Sequence, residues 1–114
     1  MSDMVILNVG GVYFWTLRKT LAQSSTFFSG LVETDTTADV YFVDRDPTHF
    51  RHILNWMRGV RFLPDSDHVL RELSYECEYY AMEDMLEQVF KTPRVSNAKM
   101  LKHIADEIRS SSRT

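Results

Sequence analysis

Cysteine occurs once in these 114 residues, at Cys77. A lone thiol builds neither an internal disulfide framework nor a cysteine-rich zinc centre, which fits a reducing compartment, cytosol or nucleus. Cys77 lies between Glu76 and Glu78, whose charges would raise its pKa. It therefore reads as a small, partly buried side chain rather than a nucleophile. Glycine is equally sparse, four in all. Gly10-Gly11 is followed by no third glycine and no Lys-Ser/Thr pair, so a hairpin turn is the better reading than a phosphate loop. No apolar run approaches the roughly 18 residues of a membrane-spanning helix. Met1-Ser2-Asp3-Met4 lacks the basic and long apolar stretches of a signal peptide.

Positive charge is scarce over most of the chain. Residues 1–90 hold seven Lys/Arg against fourteen Asp/Glu, a balance of −7, whereas residues 91–114 hold six against two, a balance of +4. An acidic body argues against nucleic acid as a partner, since phosphate contacts need clustered cations. No Ser/His/Asp order, carboxylate pair or cofactor loop stands out, so neither an enzyme nor a cofactor is expected. His49 and His52 are spaced for one helical face, but tetrahedral zinc takes four ligands and no further ones are placed nearby.

What is present is the patterning of one α/β domain. Met4–Val9 and Val12–Thr16 read as strands around the Gly10-Gly11 turn; in the first, Val5, Leu7 and Val9 share one face and Ile6 and Asn8 the other, and in the second Tyr13 and Trp15 share a face. Thr16 is a plausible cap for a short helix over 17–22, and Ser24 or Ser25 for one through Phe27, Phe28 and Leu31. Residues 33–39 are polar and read as an exposed loop. Val40–Val43 reads as a strand, stopped by Asp44-Arg45-Asp46. A helix is then expected from Pro47, capped by Asp46, with Phe50, Ile53, Leu54 and Met57 on its buried side. Gly59–Pro64 is a turn plus a short extended piece, and Pro64-Asp65-Ser66-Asp67 starts a helix carrying Val69, Leu70 and Leu73. A break is expected over Tyr75–Tyr80, then a helix with Met82, Met85, Leu86, Val89 and Phe90. These make a domain over 1–90. Residues 91–114 follow as a basic amphipathic helix, with Ala98, Leu101, Ile104, Ala105 and Ile108 on one side, and a Ser-rich tail.

Leu7-Asn8-Val9-Gly10-Gly11, Phe14, Thr16, Thr20-Leu21, Asp44-Arg45-Asp46-Pro47, Phe50, Ile53-Leu54-Asn55, Arg58, Pro64 and Leu73…Glu76…Tyr79-Tyr80 stand in one order. In that order they resemble the BTB/POZ fold, and within it the potassium-channel tetramerisation branch with its KCTD-type proteins. The resemblance covers about residues 4–90. It implies a small sheet flanked by helices and self-association into tetrameric or pentameric rings. It places Asp44, Arg45 and Asp46 at the subunit contact, with Arg18 and Arg58 as candidates to reach it. It also implies an adaptor role, with a partner surface of Phe27, Phe28, Glu33, Asp35, Tyr79 and Tyr80 that relatives offer to a cullin-type ubiquitin ligase scaffold. The alternative is the cytoplasmic assembly domain of a voltage-gated potassium channel. Three departures are visible: Gln23-Ser24-Ser25-Thr26 replaces a Pro-x-Ser segment, the turn after Arg58 is one residue short, and the cysteines of the channel zinc site are missing.

Overall fold

The computed structural model describes residues 3–92. The expected basic helix over 96–109 lies outside them. Strands β1 (Met4–Val9) and β2 (Val12–Leu17) pair antiparallel from Val9↔Val12 to Met4↔Leu17. Their two-residue turn holds Gly10 at φ 57° and Gly11 at φ 100°, the left-handed values that tight hairpins require. Asn8 Oδ1 accepts the Gly11 N–H at 2.8 Å, fixing the turn from within.

Helices α1 (Arg18–Ala22) and α2 (Thr26–Thr34) carry the chain across to β3 (Val40–Val43). β3 pairs parallel with β1, giving the sheet order β2-β1-β3. Thr16 does not cap α1: it is a buried strand residue, and the N-cap is Leu17, which offers no side-chain oxygen. Ser25 does cap α2, its Oγ accepting from the Phe28 N–H. The first two residues of the expected loop, Glu33 and Thr34, are still helix, since α2 runs to Thr34.

The helix expected from Pro47 begins later, as α3 (Phe50–Met57). Asp46 Oδ1 accepts the Thr48 N–H at 2.8 Å and also the Thr48 hydroxyl. An Asx turn therefore occupies the residues that would have been the first helical turn. Phe50, Ile53, Leu54 and also Trp56 are buried on α3, while Met57 is half-buried. Helix α4 (Asp67–Tyr79) is capped by Ser66 Oγ and runs unbroken through the segment expected to interrupt it. The break comes after it, at Ala81, whose φ is 56°. Helix α5 (Glu83–Lys91) buries Met85 and Val89 and leaves Phe90 exposed.

Helices cover one side of the sheet. There Val5, Leu7, Val9, Phe14, Tyr41 and Val43 meet Phe28, Phe50, Ile53, Leu70, Leu73 and Tyr80. Phe50 links the layers, with its ring centroid 5.0 Å from Phe14 and 5.2 Å from Tyr80, and Tyr80 stacks on Phe28 at 5.1 Å. Edge and offset contacts at these distances add to the area effect. The hairpin turn is tied to the corner after β3, because Gly10 N–H donates to the Val43 carbonyl at 2.9 Å. A Cβ at Gly10 would run into the Arg45 carbonyl oxygen, whereas one at Gly11 meets open space. Gly10→Ala is therefore expected to cost about 2–4 kcal/mol of unfolding free energy, combining backbone strain with a backbone clash. Gly11→Ala should cost about 1 kcal/mol, from strain alone. Urea denaturation of both variants checks the ranking.

Candidate protein-interaction surfaces

The strands are apolar at both alternating sets of positions. The odd residues of β1 are covered by the helices, and so are Phe14 and Thr16 on β2 and Tyr41 and Val43 on β3. The other set has no covering layer among the described residues. By register, Tyr13, Asn8 and Phe42 form one row across this open face; Trp15, Ile6 and Val40 form the next; Leu17 and Met4 complete it. Tyr13, Trp15 and Phe42 are each more than half exposed, at 60%, 56% and 61%, and Met4, Leu17 and Val40 are exposed beside them. With about half of each large side chain open, the six present roughly 600 Å² of mainly apolar area. That is at the top of the range, about 300–600 Å², for the largest patch on an ordinary monomer.

The charged corner beyond β3 is divided. Asp44 is exposed. Arg45 turns onto α4 of its own chain: Nη2 lies 2.7 Å from Glu76 Oε2, Nε lies 3.2 Å from Oε1, and the guanidinium sits over the Tyr79 ring at 4.3 Å. This bidentate bond to Glu76 holds the Arg45 pKa above its usual value, against the opposing effect of burial. Asp46 is exposed, and the bonds from Thr48 keep its carboxyl below the ordinary carboxylate range. Within the chain, the two candidate arginines bond elsewhere. Arg18 Nη1 donates to the Tyr41 hydroxyl at 2.6 Å and Nη2 to the Ala38 carbonyl at 2.9 Å. Arg58 Nη2 donates to the Trp15 carbonyl on the outer edge of β2.

A second surface follows α4. Glu72, Tyr75, Glu76 and Tyr79 recur at helical spacing on its outer side, with Tyr75 and Tyr79 exposed. Glu72, Tyr75 and Glu76, with Asp46, Thr48 and His49, bound a cleft of about 420 Å³. Here His49 Nε2 lies 2.7 Å from Glu72 Oε1, and this contact leads the causes that lower the Glu72 pKa. Of the expected partner residues, Glu33, Asp35 and Tyr79 are exposed and Phe27 is half-buried against Tyr79. Phe28 and Tyr80 are fully buried core residues and cannot contact a partner. Cys77 is buried too, and its thiol is pushed up to about 12 by burial first and then by Asp84 and Glu76.

In sequence the open sheet face shows only in part, in Tyr13 and Trp15 sharing a side of their strand. The stronger signal is that Tyr13, Trp15 and Leu17 on β2 and every residue of Val40–Val43 are aromatic or aliphatic: a strand with one wet face should alternate. The Arg45–Glu76 pair, part-buried and bidentate, should hold the corner to α4. A double-mutant cycle with Arg45→Met and Glu76→Gln is expected to give a coupling energy of about 1 kcal/mol in denaturant unfolding.

The BTB/POZ domain family profile matches residues 5–89 of the chain. BTB/POZ domain-containing protein KCTD5 of Bos taurus is 32% identical over 116 residues, covering 91% of this chain and 50% of the relative. KCTD5 of Homo sapiens is 32% identical, with coverages of 87% and 46%, and KCTD5 of Mus musculus 33% identical, with 78% and 42%. The chain thus spans about half the length of the curated relatives it matches. The match takes in the glycine hairpin, the charged corner and α4, the features from which both exposed surfaces are built. The chain belongs to the BTB/POZ domain family, a family of protein-interaction domains, in the potassium-channel tetramerisation branch that includes the KCTD proteins.

Proposed function

We propose that this chain is an assembly module whose copies associate through the open face of the sheet into a tetrameric or pentameric ring. The observation that carries this is the size and composition of that face. An apolar area of roughly 600 Å² approaches the ~800 Å² per partner of a standard interface. Tyr and Trp at its centre are residues that dominate binding energy when desolvated. Asp44 follows Phe42 by two residues and extends the same side of β3, so a charge borders the apolar rows. A polar rim of this kind selects orientation more than it adds affinity. A neighbour that docks on the open face with a different surface of its own makes a heterologous contact, the kind that builds a ring when the rotation between copies closes.

The α4 surface is left for another protein. An adaptor that holds a client or a cullin-type scaffold needs such a second surface; Tyr75 and Tyr79 supply its exposed aromatics, and Glu33 and Asp35 are exposed acids at the end of α2. A buried, unreactive thiol suits a reducing compartment, the cytoplasm or the nucleus. No helix among the described residues is long and apolar enough to cross a membrane.

Reversing Arg45 would disturb its own chain's Glu76 as well as any neighbour, so the open face gives the cleaner test. Trp15→Glu and Phe42→Glu alter exposed side chains and are expected to keep the wild-type circular dichroism. Each should weaken association at least about 100-fold, as loss of a central aromatic does, in sedimentation velocity. Unchanged oligomers in both variants would exclude this face. Pull-down with a cullin N-terminal domain tests the adaptor reading: Tyr75→Ala with Tyr79→Ala should lose the capture, while Trp15→Glu tests whether capture needs the assembly.

A further inference from the structure

The two outer strands of the sheet are guarded unequally. Arg18 N–H donates to the Asp3 carbonyl. In the antiparallel pairing this points the backbone groups of Tyr13 and Trp15 outward along β2. There the Arg58 guanidinium covers the Trp15 carbonyl, the kind of charged block that keeps an edge from pairing. On β3, Ile6 N–H donates to the Asp39 carbonyl at 2.8 Å and Gly10 N–H to the Val43 carbonyl at 2.9 Å. By strand alternation Tyr41 also faces β1, so the N–H and C=O of Val40 and Phe42 point away from the sheet. Neither residue makes a further hydrogen bond to the described chain, and both side chains are exposed. Asp39 and Asp44 flank this open edge.

The same chain contains a segment with matching needs. Between Gly59 and Pro64, Val60-Arg61-Phe62-Leu63 forms neither helix nor strand. Val60 and Phe62 are 53% and 71% exposed, while Arg61 between them turns back to Asp84 at 2.9 Å and over the Trp56 ring at 4.7 Å. Out, back, out is the alternation of a strand. Val60 N–H is held by the Asn55 carbonyl, but the backbone groups of Arg61, Phe62 and Leu63 make no hydrogen bond to the described chain. A segment with three residues of unbonded backbone and two exposed apolar side chains thus faces the same problem as the open β3 edge. Each supplies what the other lacks.

We propose that residues 60–63 of one copy add as a fourth strand to the β3 edge of the next copy. This rests on the assembly reading above and deepens it, because the edge adjoins the open sheet face at Val40 and Phe42. Main-chain bonds then supply affinity that the apolar face alone lacks, and the side chains of Val60 and Phe62 set the register.

Amide hydrogen exchange on the full chain, read residue by residue above and below the dissociation concentration, tests this. Val40, Phe42 and Phe62 should each exchange at least about tenfold more slowly in the oligomer, and all should lose that protection together on dilution. Phe62→Pro, which removes one N–H from an exposed position, should abolish the protection at 40–42, while Phe62→Ala should keep it. An oligomer whose Val40 and Phe42 amides exchange as fast as in the monomer would overturn the fourth strand and leave the assembly reading standing. So would protection at 40–42 that survives Phe62→Pro, which would point to another occupant of the edge. A chain that stays monomeric at every concentration would overturn both.

Discussion

A three-stranded sheet that is apolar on both faces is the constraint on which the rest depends. One face is desolvated by the chain's own helices, through the Phe14–Phe50–Tyr80–Phe28 aromatic series. The other has no layer of its own among the described residues. Burial of apolar area is worth roughly 25 cal/mol per Å², so leaving six large side chains open is a standing driving force for association. In an assembly module the same feature that would be an aggregation hazard elsewhere is the working surface, provided that the contact is directed.

Direction comes from what surrounds the face. Gly10 brings the hairpin against the corner after β3, and the Arg45–Glu76 bond fastens that corner to α4. The sheet, the corner and the α4 stripe are thereby held at fixed angles, which closure of a ring demands. Arg58 covers the β2 edge, and the β3 edge is open. An asymmetric pair of edges favours one direction of addition. The charged corner, which reads in sequence as the subunit contact itself, is in physical terms first a brace.

Much of the fold was legible because local signals were strong. Gly10-Gly11 between two apolar runs, Ser24-Ser25 and Pro64-Asp65-Ser66-Asp67 before apolar helices, and the 3.6-residue stripe of Phe50, Ile53 and Leu54 each found the element they predicted. The errors have two causes, the competition of side chains for backbone groups and the packing of neighbours. Asp46 bonds to Thr48 and so delays α3. Thr16 is drawn into the sheet by its pairing with Val5. Ser74 and Cys77 are buried on α4, so Tyr75 and Tyr79 lie on its outer face instead of breaking it. For the sites, residue type was a poor guide: Phe28 and Tyr80 look like partner aromatics, yet only their neighbours Phe27 and Tyr79 reach the surface. The open face needed the pairing register, since Phe42 and Tyr13 become neighbours only through Asn8.

The mass of the intact assembly at micromolar concentration tests the central claim most directly. Native mass spectrometry is expected to give a single closed species of four or five copies of the 13.4 kDa chain. A chain that remains at 13.4 kDa over that range, with its fold intact, would contradict the account.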